Sequence, residues 1–206
     1  MTIYRFPEVQ KALQDYYRQI EEHQDSLRNQ GHDIVQPFTS FRNSAYFFAD
    51  TYAMYTNIDG KQTISANFSQ HDVELRLKYM LLDLVFVPFM STAEYYAIKL
   101  GQKDPHSASY AKIHEKTERR TQLSHLIGLI PQLNEKKDIW DFAIALRNDY
   151  VHFDGHARDS MTCPLKGIAI TMKQGEQSGC TLSSLIVLLR ELENTFFSFA
   201  NGLRSP

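Results

Sequence analysis

The sequence predicts an all-α protein that folds as a single-domain helical bundle over residues 1–206. Apolar residues recur at helical spacing through most of the chain, and turn-forming residues separate the apolar segments. With 206 residues, of which 43% are hydrophobic and 22% charged, the chain is suited to one globular core. Because it contains no internal repeat, low-complexity run or linker, one domain is the simplest interpretation.

Two helices are predicted in the N-terminal part of the chain. Pro7 suits a first helical turn, and an amphipathic segment runs from there to about residue 29, before Gly31 breaks it. The second helix covers residues 41–55, and its many aromatic side chains are assigned to the core. A base-stacking platform is the alternative, but Arg42 is the one basic residue among these rings.

Two further helices are predicted in the middle of the chain. The first begins at Ser69, which has Asp72 in its first turn, and reaches about residue 100 with a bend near Pro88. The second covers residues 107–130 and is closed by Pro131.

The C-terminal part differs because a short β-rich segment separates its two helices. The first helix covers residues 138–152 and the last covers residues 181–203. Between them, residues 165–172 are rich in β-branched side chains. With residues 174–176 as a turn and 177–180 after it, this segment is consistent with a small β-hairpin.

Composition excludes several classes of function. The net charge of -2 provides no global basic field, so any contact with RNA needs a local patch. Cys163 and Cys180 form neither a disulfide framework nor a metal cluster, which fits a reducing cytoplasm. We expect no signal peptide, membrane span, metal or cofactor, since the corresponding patterns are absent, including glycine-rich phosphate loops.

The helix at residues 138–152 carries the segment with the clearest chemical content. At about 100° per residue, its apolar residues form one core-facing stripe, which comprises Ile139, Phe142, Ala143, Leu146 and Tyr150. Asn148 and His152 share the face nearly opposite that stripe. Arg147 lies on the flank, about 140° of rotation from His152. Because further apolar residues lie on this flank, we expect the helix either to be central in the bundle or to pack against a second subunit.

The segment Arg147-Asn148-Asp149-Tyr150-Val151-His152 resembles the signature of the HEPN superfamily of small all-helical domains. That signature is an Arg followed a few residues later by a His, often with a polar residue directly after the Arg. The resemblance covers this helix and the general helical layout. It implies a metal-independent endoribonuclease of a toxin–antitoxin or phage-defence system, in which a homodimer brings two motifs into one cleft.

By this resemblance Arg147, Asn148 and His152 are the catalytic residues. A His can accept or donate a proton near neutral pH, and an Arg stays charged and fits phosphate oxygens. Asn148 would orient His152 or hold the scissile phosphate. Some toxins of the family carry a Tyr two residues after the His, which an antitoxin modifies. Here that residue is Asp154, which does not support this mode of control.

A basic cluster on the preceding helix is the best local candidate for an RNA backbone contact. It comprises Lys112, Lys116, Arg119 and Arg120, and Arg158 is the next candidate. Glu115 and Glu118 dilute the cluster, so a solvated, salt-bridged surface is the alternative.

Three other interpretations of the motif stay open. The first is a non-catalytic HEPN-like module that binds a nucleotide, RNA or a protein partner such as a nucleotidyltransferase or a cognate antitoxin. The second is purely structural, with Arg147 paired to a nearby acid and His152 complementing the helix dipole. The third, a metal site, would require His152, Asp154 and His156 to converge.

Overall fold

The computed structural model describes residues 6–56, 69–101, 123–168 and 170–202. In these ranges the chain forms an all-α helical bundle with a small two-stranded antiparallel sheet, so the predicted fold class is confirmed. None of the helices in the described ranges has the length and apolar character needed to cross a lipid bilayer.

The first two helices pack against each other. Helix α1 spans Pro7–Leu27 and helix α2 spans His32–Thr56. The break predicted at Gly31 is confirmed, and its backbone φ of 98° lies in the region that favours glycine. Helix α2 starts earlier than predicted because its first turns bury Ile34 and Phe38, which are 5% and 0% exposed.

A long helical run follows, with a wider turn at its centre. Helix α3 spans Gln70–Leu81, a π-helical turn covers Leu82–Phe86, and helix α4 spans Val87–Gly101. The N–H that closes the π turn reaches a carbonyl five residues earlier. Pro88 has no N–H to continue the regular ladder, so the irregularity predicted there takes the form of a π turn just before it.

The motif helix is preceded by two short helical elements. Helix α5 spans Leu123–Gly128, a 3-10 turn covers Pro131–Lys136, and helix α6 spans Lys137–His152. Most of the helix predicted over residues 107–130 lies outside the described residues. Its described end stops before Pro131, as predicted.

A small sheet lies between α6 and the last helix, α7, which spans Leu182–Gly202. Strands β1, Met161–Thr162, and β2, Thr171–Met172, pair antiparallel. β-Pairing is present in this segment as predicted, but β1 lies before residue 165, so the turn of the hairpin falls between β1 and β2 and not at residues 174–176. Thr171 also bridges Gly179, where a Cβ would come within 3.3 Å of the threonine hydroxyl. The chain therefore pairs on both sides of β2.

The buried apolar residues form one contiguous cluster that holds the motif helix in place. Helix α1 packs against α7 and α2, and α2 packs against α4. Helix α6 packs against α5 and α4, and its Trp140 and Phe142 are fully buried. This packing fixes the rotation of α6 and therefore the direction of the motif side chains.

Candidate functional site

The motif occupies the last two turns of α6, and the helix ends directly after His152. The carbonyl of Asp149 accepts hydrogen bonds from the backbone N–H groups of Phe153 and Gly155, both at 3.0 Å. Asp154 and Gly155 have positive φ values of 52° and 77°. This tight exit confirms that Gly155 breaks the helix.

Arg147 projects into a cleft between α4, α5 and α6. Its guanidinium Nη2 lies 3.8 Å from Oε2 of Glu94, on α4. The Nε of Arg147 is buried and has no hydrogen-bond partner among the described residues. The guanidinium therefore retains at least one donor that the described residues do not use.

Arg147 and Asn148 both line this cleft, whereas Tyr150 of the same segment lines a separate pocket. Its empty volume is about 550 Å³, open solvent included, and its lining consists of Met90, Glu94, Leu123, Ile144, Arg147 and Asn148. Three of these residues are apolar, one is acidic, one basic and one an amide. A charged or hydrogen-bonding group on a ligand could thus be held against apolar walls.

His152 does not line this cleft. It is exposed at the last residue of α6, and its ring stands edge-on to Phe153 with 6.5 Å between the ring centroids. One chain therefore brings Arg147 and Asn148 to a common cleft and leaves His152 facing solvent. The prediction that Asn148 and His152 lie away from the core stripe agrees with these positions.

The core stripe of α6 departs from the prediction at one residue. Ile139, Phe142, Ala143 and Leu146 are buried, but Tyr150 is only partly buried. Tyr150 packs against the core, as expected, and its hydroxyl also donates to Oδ1 of Asp83 at 2.8 Å. Burial and this hydrogen bond raise the pKa of Tyr150. The hydroxyl therefore links α6 to the π turn.

Asp149 is the buried member of the motif segment, and the sequence analysis gave it no role in a site. Its side chain is 3% exposed, and its carboxylate accepts from Nε of Arg158 at 3.0 Å and from the Arg158 backbone N–H at 3.3 Å. The helical periodicity did indicate that Asp149 is buried, because it lies seven residues after Phe142 and so falls on the core stripe. This pair ties the loop after α6 to the helix.

The predicted RNA-contacting residues are mostly not described. Lys112, Lys116, Arg119 and Arg120 lie outside the described residues. Arg158 is half exposed, with its guanidinium paired to Asp149 and placed 4.8 Å from the centre of the Phe153 ring. Since Arg158 is already engaged within its own chain, it holds the loop in place whether or not it contacts RNA.

The residues considered for a metal site do not converge. Among the described residues, no group of three or more His, Cys, Asp or Glu side chains is placed to hold a metal ion. Nδ1 of His156 lies 3.2 Å from the carbonyl oxygen of Phe153, within hydrogen-bonding distance.

Glu94 is a residue of the candidate site that could not be identified from the sequence. It lies more than fifty positions before Arg147 along the chain, in a helix with no catalytic motif. The packing of α4 on α6 alone brings the two side chains together.

Comparisons with protein-family models, with curated proteins and with solved structures gave no match.

Proposed function

We propose that this protein is a metal-independent endoribonuclease of the HEPN type that acts as a homodimer. The proposal rests on one observation, which is that the motif residues lie in two different places. Arg147 and Asn148 share a cleft, whereas His152 is exposed at the end of the same helix. Pairing two copies of this helix end about a two-fold axis would give one site two imidazoles and two guanidinium groups.

Exposed apolar side chains beside His152 support the dimer. Val151 is 48% exposed and Phe153 is 43% exposed, and both flank the histidine in the chain. Large apolar residues at a surface suit a protein interface, whose centre is poor in charge.

In the proposed reaction the 2′-hydroxyl of RNA attacks the adjacent phosphate. One His152 accepts the proton of that hydroxyl, and the partner's His152 donates a proton to the leaving 5′-oxygen. Arg147 stabilises the charge that develops on the phosphate oxygens, and Asn148 orients a histidine or holds the phosphate. The products are a 2′,3′-cyclic phosphate and a 5′-hydroxyl, and the need for the 2′-hydroxyl restricts the substrate to RNA.

The test is cleavage of a structured RNA pool in EDTA by the wild type, Arg147→Ala and His152→Ala. We expect each variant to lose about a hundredfold or more in rate, because each removes a group required in the transition state. The matched control is His156→Ala, which replaces an exposed histidine in the loop directly after α6 and should cleave like the wild type.

Two results would oppose the proposal. Equal cleavage by His152→Ala and the wild type would show that His152 is not catalytic. A folded dimer that cleaves no RNA would favour the second candidate, a non-catalytic helical module that binds a nucleotide, RNA or a protein partner such as a nucleotidyltransferase. The observation favouring that candidate is the contact of Arg147 with Glu94 in its own chain.

A further inference from the structure

The pair formed by Glu94 and Arg147 has unused capacity for hydrogen bonding. Its 3.8 Å separation is longer than the roughly 2.7–2.9 Å of a strong charge-assisted hydrogen bond. The Glu94 side chain is 45% exposed, so its carboxylate oxygens are open to a ligand. Because neither charge is fully satisfied by the other, a ligand can bind to both without breaking a strong bond.

Apolar side chains line the rest of the cleft. Met90, Leu123 and Ile144 line it beside the charged pair, and the empty volume of about 550 Å³ leaves room for a purine ring. Ligand pockets of this kind combine apolar walls with a few polar groups that determine orientation and specificity. A planar base between these walls would present its hydrogen-bonding edge to Glu94.

We propose that this cleft is a guanine subsite, in which the Glu94 carboxylate accepts hydrogen bonds from N1–H and the 2-amino group. A carboxylate has only acceptor oxygens, and guanine has two adjacent N–H donors on its Watson–Crick edge. Adenine and cytosine present an acceptor nitrogen at the middle of that edge, and uracil has one donor between two carbonyls. Glu94 therefore matches guanine and opposes the other bases.

This inference deepens the proposed function and rests on it for the identity of the substrate as RNA. Arg147, next to Glu94, would hold a phosphate of the same nucleotide, which places the guanosine beside the scissile bond. Glu94 thus acts in specificity, and Arg147 and His152 act on the phosphate. The expected enzyme cleaves unpaired RNA at guanosine.

The first experiment measures binding of nucleoside 3′-monophosphates to the wild-type protein by calorimetry in EDTA. Inosine lacks the 2-amino group and so loses one charge-assisted hydrogen bond to the carboxylate. We therefore expect guanosine 3′-monophosphate to bind about tenfold or more tightly than the inosine, adenosine, cytidine or uridine nucleotides. Equal affinities, or no binding of the guanosine nucleotide at about 1 mM, would overturn the subsite.

The second experiment uses Glu94→Gln, whose amide places a donor where guanine also has donors. We expect the preference for guanosine over inosine 3′-monophosphate to fall to about threefold or less, whatever happens to the absolute affinities. The control is Glu135→Gln, which removes an acidic side chain that is 77% exposed in the 3-10 turn and should keep the preference. A preference that survives in Glu94→Gln would contradict the assignment.

RNA cleavage separates this inference from the proposed function. Cleavage with no preference for guanosine would overturn the subsite and leave the ribonuclease in place. A guanosine preference in binding that Glu94→Gln abolishes, together with no cleavage of any RNA, would support the subsite and overturn the ribonuclease.

Discussion

Asp149 lies inside the motif segment, yet its carboxylate serves the fold. It is buried on the core stripe of α6 and receives the side chain and backbone of Arg158. The same residue's carbonyl closes the helix exit through Phe153 and Gly155. One residue therefore holds the end of the motif helix and the following loop in a fixed relation, and so fixes the surroundings of His152.

We expect Asp149→Ala to lower the free energy of unfolding by about 1–3 kcal/mol, because it leaves the Arg158 donors without their acceptor and empties a buried position. Urea denaturation followed by circular dichroism measures the change. The control is Asp159→Ala, an exposed acid in the same loop, for which a change close to zero is expected. Equal effects of the two substitutions would exclude a special role for the buried carboxylate.

Tyr16 is a buried residue whose polar atom is not satisfied. It is 1% exposed, and its hydroxyl has no hydrogen-bond partner among the described residues. Burial, and then the nearby Glu193 and Tyr17, raise the pKa of Tyr16 well above its ordinary value. Both facts indicate that the hydroxyl group costs stability at this position.

We expect Tyr16→Phe to raise the free energy of unfolding at pH 7 by about 1 kcal/mol, since it removes an unpaired buried hydroxyl and keeps the ring. A raised pKa in the folded state leaves stability intact below the unfolded value of about 10 and lowers it as pH rises beyond that value. The difference in the free energy of unfolding between Tyr16→Phe and the wild type should therefore grow above pH 10. Denaturation at both pH values tests this, and a less stable variant at pH 7 would indicate a hidden partner for the hydroxyl.

At the scale of single elements, local signals fixed the start of α3. Ser69 accepts the backbone N–H of Asp72 at 3.2 Å, and the Asp72 carboxylate accepts the backbone N–H of Ser69 at 2.9 Å. This is a complete capping box, and the hydrogen bonds from Ser69 lower the pKa of Asp72. The serine was predicted as the start of this helix because capping depends on residues three apart in the sequence.

We expect Ser69→Ala to destabilise the protein by about 1 kcal/mol, as is usual for loss of an N-cap hydroxyl. The lowered pKa of Asp72 makes its contribution present above the unfolded value of about 3.9 and lost as pH falls below it. The effect of Ser69→Ala should therefore shrink at low pH. Thermal unfolding at pH 7 and pH 3 measures this, with the exposed mid-helix Ser91→Ala as the control that should show no such loss.

Across the whole molecule, a buried polar cluster joins the first and last helices. The Glu193 carboxylate on α7 is fully buried, and Nδ1 of His23 lies 2.8 and 2.9 Å from its two oxygens. Gln19 donates to the same carboxylate at 2.5 Å and to the carbonyl of Arg190 at 2.7 Å. The His23 ring also stacks on Phe197, with 3.8 Å between centroids. This cluster fixes the register of α1 against α7.

We expect Glu193→Ala to lower the free energy of unfolding by about 1–3 kcal/mol, because it leaves the half-buried His23 and Gln19 without their acceptor and empties a fully buried position. Replacing both partners, in His23→Phe with Glu193→Leu, should recover much of that loss, because the substitution removes the unpaired groups as well. Chemical denaturation of both variants measures this. The control is Asn194→Ala, an exposed neighbour on α7, and an equal loss in that variant would point to a general sensitivity of the helix.

The sequence alone determined the helical character of the chain, its main breaks and the core face of α6, because periodicity, prolines, glycines and caps act over a few residues. The sequence also placed Arg147, Asn148 and His152 at the end of one helix, but the tertiary structure brings only Arg147 and Asn148 to the cleft and leaves His152 exposed. The pairing of Glu94 with Arg147, the bond from Arg158 to Asp149 and the first strand of the sheet came only from the tertiary structure. These contacts join segments that are distant in the chain or lie in loops, and only the packing of whole elements decides which of them meet.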